Sequence, residues 1–189
     1  TWMGLTSAQF SNVNPNFTNV EFNVSDGFVT IHPIHERIFI YPASAEKVYD
    51  GTQLTEPSYT YTQNILLPGD VLTAVMEGSQ TDAGISYNAV NVWYIMRGTD
   101  NVSDNYTVDI NSYGELRVTR RPVTITSASD SKMFDGLPLT NSTVTSSTGP
   151  NEGFIAGQGA TYSVTGQQTQ IGNSKNAFTY SLMPGTKPQ

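Results

Sequence analysis

The chain has 189 residues, a formal net charge of −7 and no cysteine, a length that suits one large domain or two ordinary ones. The charge argues against nucleic acid or anionic lipid as partners, because both repel an acidic surface, and the missing thiol excludes disulfides, thiolate catalysis and Cys-ligated zinc. Only 13% of residues are charged and 37% are apolar, and a remainder rich in Ser, Thr, Asn, Gln and Gly suits strands with one buried and one solvated face joined by many turns.

In chain order, a single helical turn is expected around Ser7-Ala8-Gln9-Phe10. Val20, Phe22 and Val24 alternate with Glu21 and Asn23 and read as a strand ending at the Asp26-Gly27 turn. In His32-Pro33-Ile34-His35-Glu36 two imidazoles stand beside a carboxylate, but the proline disfavours a shared metal-binding face, so the segment reads as a joint. Ile38 and Ile40 begin a core strand, and Lys47 precedes a turn at Asp50-Gly51. Tyr59 and Tyr61 share one face of a further strand. Val90, Val92, Tyr94 and Met96 alternate as the inward set of another, which leaves Trp93 facing out. Trp93, Tyr59 and Tyr61 are therefore the candidate surface for a sugar or protein ligand. Asp100, Asp104 and Asp109 with Asn101 and Asn105 are rich in oxygen but match no calcium-loop spacing, and read as solvated turns. Arg121-Pro122 is a second joint. Val123 and Ile125 open the next strand pattern, Lys132 precedes Asp135-Gly136, and Phe178, Tyr180 and Leu182 alternate before Pro184-Gly185.

No run approaches the ~20 apolar residues of a membrane span and no basic-then-apolar leader opens the sequence, so no membrane insertion is expected. Many short strands, regular Asp-Gly and Pro-Gly turns and no long helix define an all-β chain of Ig-like sandwich type.

The sequence also repeats itself. Ile38, Ile40, Lys47, Tyr49, Asp50, Gly51 and Leu54 fall on Val123, Ile125, Lys132, Phe134, Asp135, Gly136 and Leu139 at an offset of about 85 residues. After an insertion near Gly149-Pro150-Asn151 the offset grows to about 88: Gly78-Ser79-Gln80-Thr81 meets Gly166-Gln167-Gln168-Thr169, and Asn88-Ala89-Val90 meets Asn176-Ala177-Phe178. At the other end, Asn14 to Thr18 lies on Ser103 to Thr107, and Asp26 to Ile31 lies on Tyr113 to Val118. The period of about 88 residues divides the chain into 1–32, the terminal strands of a preceding repeat, 33–121, a complete repeat, and 122–189, a second repeat lacking its last strands. A permuted frame of 1–95 and 96–189 stays open.

The motif Lys47-Val48-Tyr49-Asp50-Gly51-x-x-Leu54, repeated at Lys132-Met133-Phe134-Asp135-Gly136-x-x-Leu139, resembles the MBG-type Ig-like repeats of bacterial surface adhesins. So do the Asn-Tyr-Thr and Gly-x-Leu-x-Val-Thr segments and the intervening Gly-x-Gln-Thr-x-x-Gly. The resemblance implies tandem Ig-like sandwiches carried outside the cell on a bacterial surface, without catalytic residues or cofactors. An alternative reading of Lys47 and Lys132, as partners in a Lys–Asn isopeptide bond, would need Lys, Asn and a carboxylate buried together. No catalytic triad, carboxylate pair or phosphate loop can be assembled, so the chain is not expected to be an enzyme. The expected role is a structural stalk segment contacting neighbouring repeats, the alternative is direct host glycan or mucin binding, and the cut repeats raise the prospect of strand exchange between chains.

Overall fold

Alternating aliphatics set the first strand of the computed structural model, which describes residues 3–187. In β1 (Arg37–Pro42), Ile38 and Ile40 turn inward while Phe39 and Tyr41 face out. The chain then crosses at Ala43-Ser44 into β2 (Ala45–Val48) and continues through β3 (Tyr59–Tyr61), β4 (Asp70–Glu77), β5 (Gly84–Arg97), β6 (Asp100–Asn101), β7 (Thr107–Asp109) and β8 (Gly114–Thr119). One sheet has the order β3-β1-β7; the other has the order β2-β8-β5-β4, with β6 on β5. The last strands cross between sheets as the first do, so β1 runs parallel to β7 and β2 parallel to β8. At this crossing the backbones nearly touch: a Cβ on Gly114 would lie 2.1 Å from the Ala43 carbonyl oxygen, so no other residue fits.

Between the sheets Ile38, Ile40, Leu72, Ala74, Val90, Ile95 and Tyr106 form one cluster, with Leu116 and Val118 also buried. Each buried Ile, Leu or Val among them contributes about 1.5–3 kcal/mol relative to exposure. The fold is all-β, and no helix among the described residues is long and apolar enough to cross a membrane.

The inward set of β5 departs from the sequence expectation. Val75 pairs with Val92 but Met76 pairs with Val90, so Asn91 is an extra residue without a partner on β4. This bulge inverts the alternation: Asn88 and Val90 face in before it, Trp93 and Ile95 after it. Val92 and Tyr94, expected inside, are instead exposed, and Trp93, expected outside, packs on the core.

In the second region β9 (Ile125–Ser127) pairs with β10 (Val144–Ser146), and β11 (Ala160–Val164) pairs with β12 (Phe178–Leu182). The registers repeat those of the first. Ile125 stands opposite Ser146 as Ile40 stands opposite Tyr61, and Val164 opposite Phe178 as Met76 opposite Val90. Among the described residues nothing stands in the place of β7 and β8. The flanking counterparts, residues 130–133 for β2 and 172–176 for the start of β5, carry no strand. Val123 and Ile125 face inward yet stay half-buried, and Tyr180 is 58% exposed. They are not sealed core residues as Ile38 and Ile40 are, because no strand closes over them.

Before β1, the expected turn forms as a short 3-10 segment, Ser7–Gln9. The strand expected at Val20, Phe22 and Val24 does not form. The alternation survives only as half-burial of Phe22 and Val24, with Phe22 stacked on Phe10 at 5.9 Å. Apolar alternation makes a strand only where an edge supplies hydrogen-bond partners. Here Asn12 Nδ2 donates to the carbonyls of Asn14 and Phe17, and Asp26 accepts from the Gly4 N–H at 2.6 Å.

Candidate functional site

The repeated lysine turns are built alike. Lys47 Nζ donates to Asp50 Oδ1 at 2.7 Å and to both oxygens of Thr52, while the Thr52 N–H donates back to Asp50 Oδ1 at 2.9 Å. Lys132 Nζ donates to Asp135 Oδ1 at 2.8 Å, and the Leu137 N–H to the same oxygen at 2.9 Å. Gly51 and Gly136 take φ of 80° and 79°, the left-handed conformation that a side chain resists. The Lys47 hydrogen bond, then the Thr52 N–H, holds the Asp50 carboxyl well below the usual range. Lys132 and the Leu137 N–H do the same for Asp135. All three donors of the Lys47 ammonium are engaged in its own turn, an arrangement that fixes the loop.

A second repeated device escaped sequence reasoning. Asn88, 1% exposed, donates through Nδ2 to the carbonyls of Ala43 and Glu56 at 2.9 and 2.8 Å. Asn176 donates in the same way to Ala128 and Asn141 at 3.0 and 2.9 Å. One amide thus ties β5 to the strand crossing and to the loop before β3, giving a hydrogen-bond partner to one carbonyl of each. The Asn-Ala-Val and Asn-Ala-Phe match was the available signal.

At the far end of the first sandwich the Asp70 carboxylate is fully buried and takes Nε and Nη2 of Arg97 and the hydroxyl of Tyr106. The Leu67 N–H donates to that same hydroxyl at 3.0 Å. Arg97, then Tyr106, holds Asp70 below its ordinary pKa; burial, then Asp70, raises the Tyr106 phenol. Asp70 is enclosed by these donors, while the Arg97 side chain stays half-exposed. In the second region Gln158 and Gly185 occupy the Asp70 and Arg97 positions. Gln158 Nε2 donates to Gly185 O at 3.3 Å and to Tyr49 OH, across the seam between the regions, at 2.9 Å.

The seam has further fastenings. Lys187 pairs with Asp82 at 3.0 Å, and a Cβ on Gly51 would lie 2.7 Å from Ile155 Cδ1. Arg121, read only as a joint residue, donates from its guanidinium to the carbonyls of Gly149, Pro150, Glu152 and Gly153 at 2.8 to 3.1 Å. The inserted loop is therefore wrapped around the arginine that leads into the second region. A cleft of about 380 Å³ beside it is lined by Tyr49, Arg120, Phe154, Tyr180 and Leu182 among others.

The three aromatics expected to form a ligand surface do not do so. Tyr59, Tyr61 and Trp93 pack against the core, and the Tyr59 hydroxyl donates to Leu72 O and accepts from the Ala74 N–H. The β5 bulge accounts for Trp93. For the tyrosines, an inward hydroxyl met two β4 backbone groups, which offset its burial. The exposed rings lie elsewhere: Phe39 stacks on Tyr41 at 6.5 Å, and Tyr87 meets Tyr113 at 5.7 Å. Of the oxygen-rich group, Asp109 accepts from the N–H and amide of Asn111 and from Arg37. Among the described residues no three His, Asp or Glu side chains gather as metal ligands.

Compared with protein-family models, with curated proteins and with solved structures, the chain finds no match.

Proposed function

We propose that the chain is a non-catalytic stalk segment of an extracellular bacterial surface adhesin, in which tandem Ig-like units of the MBG type hold a binding domain away from the cell. The observation that carries this reading is the parallel pairing of strands near both ends of residues 33–121, β1 with β7 and then β2 with the last strand, Ala45 with Leu116 through Val48 with Thr119. Tension applied at the two ends of such a unit drags β2 and β8 in opposite directions along their own length. The ladder bonds then load together and do not open one by one. The recurrence of the ladders, the lysine turns and the asparagine ties in a second region, and the side-chain fastenings at the seam, suit an array in which each unit leans on its neighbour. Single-molecule pulling tests this. Residues 33–121 should resist far more force when pulled through their ends than through residues 78 and 84, which unzips β4 from β5; equal forces would contradict a load-bearing role.

A second reading, direct binding of host glycan or protein, is favoured by the Tyr87 and Tyr113 rings, 70% and 63% exposed and in contact with each other. Saturable binding to mucin that is lost in Tyr87→Ala would support it over a pure spacer.

A further inference from the structure

β4 is the edge of its sheet: β5 pairs with one side of it, and among the described residues no strand pairs with the other. Its middle, Val71-Leu72-Thr73-Ala74-Val75-Met76, carries no charge, glycine or proline, the composition of a segment that accepts a further strand. Val71 and Val75 stand 61% and 48% exposed on the outer face. Neither lysine nor proline, which commonly protect such an edge, is present in the strand, and the Asn91 bulge lies beyond Val75.

What meets the free side is one side chain from the facing sheet. In an antiparallel pair every second residue bonds the partner strand, and the residues between them present N–H and C=O to the other side. The Ala74 N–H donates to the Tyr59 hydroxyl at 3.0 Å, and that hydroxyl donates to the Leu72 carbonyl at 3.3 Å, so Leu72 and Ala74 belong to the set that faces away from β5. A single hydroxyl, both donor and acceptor, thus makes there the two bonds that an added strand would make. The ladders themselves form without it. In the second region Val144 stands opposite Ser127 as Tyr59 stands opposite Pro42, and β11 still pairs with β12.

We propose that Tyr59 guards this edge, keeping β4 from pairing with the β4 of a second copy of the chain. The edge is self-complementary. With two β4 strands antiparallel and centred on Thr73, Leu72 of each copy meets Ala74 of the other, and the groups now held by Tyr59 bond one another. On the outer face Val71 then meets Val75 and Thr73 meets Thr73, while Asp70 meets Met76, so no like charges are opposed. Because both copies use the same patch, the contact is isologous and closes at a dimer.

Sedimentation equilibrium of the 189-residue chain and its variants over a concentration series is the test. Tyr59→Val installs the residue that the second region has at this position and withdraws the hydroxyl. It should raise the dimerisation constant by about tenfold or more, because the Leu72 carbonyl and Ala74 N–H of both copies are then free to bond. Adding Thr73→Lys sets two like charges face to face and should return association to the level of the parent chain. Mixing that double variant with an equal amount of Tyr59→Val/Thr73→Glu should restore the dimer, which separates edge pairing from clumping of a misfolded variant. An unchanged dimerisation constant in Tyr59→Val, association that Thr73→Lys leaves intact, or a mixture that stays apart would each overturn the proposal.

Discussion

Residues 33–121 and 122–187 share two ladders in the same register, the same lysine turn and the same asparagine tie, yet only the first encloses a sealed core. Among the described residues, nine buried hydrophobic side chains form the core and all lie between Ile38 and Val118. In 122–187 only Gly153 and Gly159 are buried. Local strand pairing therefore does not depend on the closing strand, whereas burial does: β8 contributes Leu116 and Val118 and supplies ladder partners to both of its neighbours. A repeat motif fixes turns and registers, and the last strand converts them into a core.

The largest effect that would sharpen this comparison is expected from Leu116→Ala. It should cost about 2–5 kcal/mol of the stability of the first region and leave Tyr162 and Phe178 in the second unaffected, as followed by NMR during urea titration. Loss of both regions together would show that they fold as one unit. A smaller difference should separate the two asparagines. Asn88→Ala leaves two carbonyls unpaired in the interior and should cost about 1–3 kcal/mol, while Asn176→Ala, where water reaches the gap, should cost clearly less by the same titration.

Acid should also separate the regions. The Asp70 carboxyl, lowered by Arg97 and then Tyr106, and those of Asp50, Asp109 and Glu56 belong to the first region; Asp135 belongs to the second. A carboxyl with a depressed folded pKa stabilises the fold above its unfolded value, about 4, and loses that contribution as pH falls through the folded value. Stability of the first region should hold from neutral pH to about 4 and decline below it. Asp70→Asn should flatten that decline in denaturation series at successive pH values.

Much of this was legible in the sequence because it is local. Period two placed Ile38 and Ile40 inside, and Asp-Gly placed the turns at Gly51 and Gly136. Three things were not legible, each for a non-local reason. The Asn91 bulge changes no residue type, yet it inverts every side chain after it, which sent Trp93 to the wrong face. Asn88 looks like an outward polar residue unless the two carbonyls beneath it are known. Val20, Phe22 and Val24 carry a strand pattern, but alternation does not reveal whether an edge is present to pair with. The aromatic candidates failed at this same level, since tyrosine reads as surface until a partner for its hydroxyl is found inside.

The central claim is that β8 orders its two neighbours and that their counterparts, lacking it, stay open. Hydrogen exchange of the 189-residue chain tests this most directly. Amides of 45–48 and 84–88 should be strongly protected, and those of 130–133 and 172–176 should exchange nearly as fast as an unfolded chain; equal protection of the two sets would contradict the account.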